Sequence, residues 1–255
     1  MKLARFDTNN YEYNSNSKIG IYLIHGFSST TYEMNFLANH LKQQGYHIVS
    51  NNLPGHGTTP EDCNKYKFND WLDYSKQEFA KLCSTSEKVF VIGCSMGGVI
   101  ALHLASLFPI NGLIIGGVVL KFKLHFQTYY LNTLLCKFLK VRKKKMIVEK
   151  SLQNKIKFYG YQSYPLVALN EFKKMNKYVI KNLDKVKSPI LIIHSYSDRV
   201  SIKENVHIVK NNVSSKDIKV LEVDHAHHNV FDQNEDSKLI FSEIDELLKN
   251  HINNY

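Results

Sequence analysis

Cysteine is scarce and unpatterned in this chain. Cys63, Cys83, Cys94 and Cys136 form no C-x-x-C pair, so the sequence indicates neither a zinc knuckle nor a disulfide framework, and a cytoplasmic, reducing setting is expected. Long apolar runs are missing as well. None approaches the ~18 residues a membrane span requires, and the polar stretch Met1 to Lys18 lacks the apolar core of a signal peptide. Carboxylates are absent from Lys88 to Val148, a stretch that holds Lys121, Lys123, Lys137, Lys140, Arg142, Lys143, Lys144 and Lys145. The formal net charge is +10, yet no nucleic-acid-binding motif accompanies it, and no nucleic-acid partner is expected. What the chain does have is 255 residues, 44% of them hydrophobic and 22% charged, enough to bury the core of one large domain, with or without an insertion.

The most informative segment is Lys88 to Leu102. Val89 to Ile92 is a short β-rich apolar run, Val99 and Leu102 begin a helix packed on a sheet, and Ser95 falls at the turn between them. Gly93 and Gly97 remove the side chains that would obstruct a sharp bend there. A serine so placed is thrust out of the backbone, with the amide of Met96 at the positive end of the following helix. Cys94 beside it reads as a small buried hydrophobe. A chance G-x-S-x-G in a small-residue turn is the plain alternative, and the surrounding strand, turn and helix argue against it.

Strand and helix alternate along the rest of the chain. Ile19 to Ile24 reads as a strand, Tyr32 to Gln44 as a helix stopped by Gly45, and His47 to Leu53 as a strand closed by Pro54-Gly55-His56-Gly57. A helix is expected around Trp71 to Cys83 and a doubly covered strand from Ile110 to Val119. Pro189 to His194 and Ile218 to Val223 read as strands, Ile202 to Lys210 and Leu239 to Leu248 as helices. The pattern implies an α/β fold with a mostly parallel sheet, residues 1–120 and 184–255 forming the core. Residues 121–183 interrupt it. There Leu131, Leu134, Leu135, Phe138 and Leu139 recur at helical spacing, predicting an amphipathic helix that ends in Arg142-Lys143-Lys144-Lys145. An insertion at this place overhangs the carboxyl ends of the strands and reads as a helical cap.

An activated serine needs a base and a group to orient it. Asp198 follows the strand Pro189 to His194, and Asp224-His225-Ala226-His227-His228 follows Ile218 to Val223, giving the order Ser, Asp, His. Asp198 also suits a helix start near Val200. His25 and His56 read as structural, bonding loop backbone. His40 and His103 read as surface or packed residues.

These motifs carry a resemblance to α/β-hydrolases of the bacterial carboxylesterase and monoacylglycerol-lipase group. They are Leu23-Ile24-His25-Gly26-Phe27, Leu53-Pro54-Gly55-His56-Gly57, Trp71, Gly93-Cys94-Ser95-Met96-Gly97-Gly98, Ser197-Asp198 and the histidines before Val230-Phe231-Asp232. The resemblance implies Ser95 as nucleophile, Asp198 as orienter and the backbone amides of Phe27 and Met96 as an oxyanion hole. It also implies a base that follows a small residue and precedes an aspartate by five positions. His227, after Ala226 and before Asp232, fits that spacing, with His225 and His228 as alternatives.

The resulting expectation is hydrolysis of short- to medium-chain acyl esters or monoacylglycerols through an acyl-enzyme, without cofactor or metal. Lysophospholipids, thioesters or amides are the alternative substrates, and a non-catalytic ligand-binding protein is the alternative of another class. A serine rather than an aspartate at the elbow argues against dehalogenase and epoxide-hydrolase chemistry, which the fold also hosts. Phe122, Phe126, Tyr130 and Leu134 are the candidate acyl-binding residues. The basic run could end a solvated helix or touch anionic lipid headgroups.

Overall fold

The computed structural model describes residues 6–124, 126–144 and 160–253. A short edge strand, β1 (Tyr11–Tyr13), precedes β2 (Ile19–Ile24). A 3-10 turn over Thr31–Met34 leads into α1 (Asn35–Gln43), which stops at Gly45 with its φ of 84°, and β3 (His47–Ser50) follows. A single turn, α2 (Pro60–Cys63), then leads to α3 (Phe68–Thr85), β4 (Lys88–Cys94), α4 (Met96–Leu107) and β5 (Gly112–Gly116).

The interrupting stretch opens on a π-helical turn over Gln127–Leu131, continued by α5 (Asn132–Leu135). It then forms the two-stranded ribbon β6 (Val141–Lys143) and β7 (Ser163–Pro165), and α6 (Leu166–Ile180). The core resumes with β8 (Ile190–Ser195), α7 (Glu204–Asn212), β9 (Ile218–Val223) and α8 (Ser237–Asn253).

Seven strands form one sheet in the order β1-β3-β2-β4-β5-β8-β9, parallel except for β1. Successive strand residues point to opposite faces, and both faces are covered. Tyr22, Ile24, Val91, Ile115 and Ile192 enter the cluster shared with α3, α4 and α6. On the other face, Ile21, Leu23, Ile92, Ile114 and Ile193 enter the cluster shared with α1 and α8.

From β2 the chain moves outward to β3 and then returns to β4 on the other side. Strand order therefore reverses between β2 and β4, and the loops leaving these two neighbours diverge to open a crevice. Ser95 and the His25-Gly26-Phe27 loop both lie there.

Two sequence expectations differ from the structure. The Tyr-Glu-Tyr strand β1 is absent from the expected elements, because three residues at most half-buried carry too little alternation to stand out. The helix expected to run to Arg142 ends at Leu135, and Arg142-Lys143 lie on β6, paired antiparallel with Tyr164 and Ser163. Local apolar spacing favours helix, but a strand partner further down the chain decides the conformation. Lys145 lies outside the described residues.

Candidate active site

The elbow is built by close approach. Ser95 adopts φ 55° and ψ −115°, a conformation that costs a non-glycine residue on the order of 1–3 kcal/mol. Its amide donates to Gly116 O at 2.9 Å, and its carbonyl accepts from Gly98 N at 3.1 Å, so both sides of the bend are fixed. A Cβ on Gly97 would stand 2.1 Å from Ile24 O, and one on Gly93 would stand 2.3 Å from Gly97 O. Only glycine lets α4 start this close to β2. Met96 opens that helix, fully buried. Cys94 is buried beneath the turn, and burial pushes its thiol well above the ordinary range, so it stays a neutral hydrophobe.

Asp198 serves three partners. Its Oδ1 accepts from the amides of Val200 (2.7 Å) and Ser201 (3.0 Å), an Asx-type turn ahead of α7. Its Oδ2 accepts from His228 Nδ1–H at 2.8 Å. That bond fixes the tautomer and leaves His228 Nε2 as the acceptor nitrogen. Burial by itself lowers the His228 pKa. The Asp198 hydrogen bond and charge, with a smaller contribution from Glu33, outweigh it and hold the imidazole above its ordinary value.

The pair is close to the elbow. Ser95 is tied to Gly116, and a Cβ on the next residue, Gly117, would lie 3.3 Å from both Asp198 Oδ2 and His228 Nδ1.

His227, the histidine that family spacing favours, is exposed, and His228 takes the place against Asp198. The reason lies in the loop. Asp236 Oδ2 accepts from the amides of His225 and Ala226 at 2.8 Å each, and Ser195 Oγ donates to Ala226 O. Ala226 is thereby buried, His225 and His227 face outward, and His228 turns in. The acidic residue that fixes this register is Asp236, whose side-chain bonds no local spacing rule indicates.

The loop after β2 lies against the elbow. A Cβ on Gly26 would lie 3.0 Å from Ser95 Cβ, which puts the following residue, Phe27, at the serine's side. Phe27 packs on Phe172, with ring centroids 5.6 Å apart, and edge-on to Trp71. His25 donates from Nδ1 to Gly26 O (2.8 Å) and accepts from Leu53 N at Nε2 (3.1 Å), joining this loop to the one after β3. Burial drives its pKa down to about 4 and that of His56 to about 3, so both are neutral supports, in keeping with the sequence. Trp71 Nε1–H donates to Pro54 O at 3.0 Å, which gives a physical role to the spacing between Trp71 and the Pro-Gly-His-Gly turn.

The candidate acyl-binding residues divide. Phe122 packs edge-on against Phe172, 5.2 Å away, on the Phe27 side of the core. Phe126, Tyr130 and Leu134 are solvent-exposed, Phe126 by 71%, and so do not wall a tunnel. Phe138, in the turn beyond the end of α5, is exposed as well.

Sequence reasoning overlooked three further residues at the site. Glu33 is 6% exposed, Lys144 reaches Ser28 Oγ at 3.0 Å, and Asn229 donates to Glu33 O at 2.8 Å. A charged residue in an amphipathic segment looks solvated in sequence, and only the fold shows it turned inward.

Residues 15–236 match the family described as Hydrolase_4, Serine aminopeptidase, S33. The chain belongs to this family. Among relatives of this serine hydrolase is a thermostable monoacylglycerol lipase of Bacillus sp., 26% identical over 234 residues and covering 85% of each chain. A carboxylesterase of Bacillus subtilis is 24% identical over 90% of this chain and 92% of its own. Among solved structures, one reported with the metagenome-derived lipolytic enzymes LipS and LipT aligns with a TM-score of 0.84, at 23% identity, over 96% of the hydrolase and 98% of its counterpart. The fold is thus the α/β-hydrolase fold expected from the sequence.

Proposed function

We propose that the hydrolase cleaves carboxylic esters through an acyl-enzyme, with Ser95 as nucleophile, His228 as base and Asp198 as its orienter. The observation that carries this reading is the 2.8 Å bond from His228 to an aspartate that also caps its own loop, beside a serine in a strained elbow. His228 Nε2 takes the Ser95 proton as the hydroxyl attacks the ester carbonyl, and returns it to the departing alcohol. A water deprotonated by the same nitrogen then releases the acid. The amides of Phe27 and Met96 stabilise the oxyanion, the second aided by the dipole of α4.

The family description names an aminopeptidase, whereas relatives matched over 85% of this chain or more are named for ester cleavage. Esters of short to medium acyl chains, monoacylglycerols among them, are therefore the favoured substrates. No step of this chemistry calls for a cofactor. A fluorophosphonate probe should label Ser95, and p-nitrophenyl butyrate should be hydrolysed faster than the matching anilide. Absence of an adduct at Ser95 in folded protein overturns the reading.

The region 121–183 acts as a cap that meets lipid. Phe126, Tyr130, Leu134 and Phe138 are all exposed, Phe138 by 84%, along a segment that also exposes Lys137 and Lys143 and has no carboxylate nearby in sequence. Apolar side chains interspersed with cations match the chemistry of an anionic bilayer surface. Sedimentation with phosphatidylglycerol vesicles should exceed that with phosphatidylcholine vesicles; equal sedimentation excludes the contact.

A further inference from the structure

Glu33 is a buried acid at the site that the chemistry above leaves unused. It sits near the end of the 3-10 turn between β2 and α1 and is bonded on several sides. Its Oε2 accepts from Gly26 N at 2.5 Å, and its backbone carbonyl accepts from Asn229 Nδ2, next to His228. A Cβ on Gly26 would lie 3.1 Å from Glu33 Oε2 and 3.0 Å from Ser95 Cβ, so the carboxylate and the nucleophile flank the same glycine.

Lys144 from the cap closes the arrangement. Its Nζ donates to Ser28 Oγ, while Ser28 O accepts from Tyr161 N at 2.8 Å and Ser28 itself sits at φ 57°. Residues 26–28 are therefore gripped by Glu33 from the core and by Lys144 and Tyr161 from the cap.

We infer that Glu33 is a positioning residue that holds the Gly26-Phe27 amides against Ser95 and adds to the field, dominated by Asp198, in which His228 gains and loses its proton. This deepens the esterase reading above and rests on it.

Burial raises the Glu33 carboxyl above its ordinary value, opposed by the Gly26 amide, His228, Ser29 and Lys144, all of which favour the charged form. Burial likewise lowers Lys144 to about 8, with Glu33 opposing. The groups facing His228 and this carboxylate are Asp198 after β8, Lys144 after β6 and the neutral thiol of Cys94 on β4, with His194 facing Asp198. Ionised, as its bond from Gly26 and the facing His228 and Lys144 favour, Glu33 is a second negative charge acting on the imidazole, brought by the turn after β2 rather than by the strand end that carries Asp198.

Two substitutions separate the tasks. Glu33→Gln keeps an oxygen that can accept from Gly26 but removes the charge. Glu33→Asp keeps the charge but is one methylene too short to reach the amide. Fluorophosphonate labelling of Ser95 and p-nitrophenyl ester hydrolysis would be followed from pH 5 to 9 in both variants, with folding checked by circular dichroism.

In Glu33→Gln the acid limb of kcat/KM should move to lower pH by ~0.5 to 1, because the imidazolium loses a stabilising charge. In Glu33→Asp the limb should stay near its place while kcat falls ~10- to 100-fold through a displaced loop. An unmoved limb in Glu33→Gln overturns the electrostatic half, and wild-type kcat in Glu33→Asp overturns the positioning half. If the Gln protein does not fold, the Asp protein decides the positioning half, and Lys144→Met, which removes the cation facing Glu33, decides the electrostatic half by whether the acid limb moves. Failure of wild-type Ser95 to label would instead sink the hydrolase mechanism itself.

Discussion

The strand ends of the core and the surface of the cap solve opposite problems. At the strand ends the polar groups have several fixed partners: Asp198 holds two amides and His228, and Glu33 holds Gly26 through its side chain and Asn229 through its backbone. On the cap, Phe126, Tyr130, Leu134 and Phe138 stand in solvent. The contrast shows where precision is needed. The proton transfer and oxyanion stabilisation proposed for these groups demand geometry held to fractions of an ångström, which bonding on several sides would supply. The lipid contact proposed for the cap would need only apolar area and charge.

Substitutions at the two regions should therefore differ by orders of magnitude. The largest effect is expected for Ser95→Ala, which should abolish fluorophosphonate labelling and reduce ester hydrolysis by at least ~10³-fold. Next, His228→Ala should lose ~10³-fold or more in kcat, while His227→Ala, exposed and one residue away, stays within about 3-fold. The reverse ranking would show that the loop adopts another register during turnover.

Gly97→Ala tests the elbow as a packing device. Its methyl meets backbone oxygen at 2.1 Å, and destabilisation of ~1–3 kcal/mol or more should lower the thermal midpoint. A midpoint equal to wild type would mean that α4 can retreat from β2.

The core should also respond to acid where the cap does not. His25, His56 and His103 are held neutral by burial, at about 4, 3 and 4, against an ordinary value of 6.5. Their folded pKa values are depressed, so the unfolded chain binds protons first. The stability they contribute is complete above about pH 6.5 and is lost as pH falls toward 4. His228 has the opposite sign, since its raised value contributes stability at low pH that fades as pH rises through it. His194 is lowered by burial too, so four depressed histidines stand against the raised His228 and Glu33, and the thermal midpoint should fall on acidification from pH 7 to 5. A flat midpoint over that range would contradict the burial of these rings.

The smallest effect belongs to the cap. Phe138→Ser should change stability by no more than ~0.5 kcal/mol and leave hydrolysis of a soluble ester intact, while weakening sedimentation with anionic vesicles.

The alternation of strands and helices, the Ser95 elbow and Asp198 were all legible along the chain, because each is written in local chemistry. Apolar runs define doubly covered strands, Gly93 and Gly97 permit a bend that nothing else fits, and a polar residue at a strand's end is visible as such. The rest depended on partners distant in the chain. Asp236 binding two amides turned His228 inward in place of His227, and β7 captured Arg142-Lys143 into a strand where local spacing favours helix. Glu33 and Lys144, 111 positions apart, meet on either side of one loop. Side-chain direction in a loop is set by whichever distant group satisfies its backbone, and sequence spacing carries no record of that group.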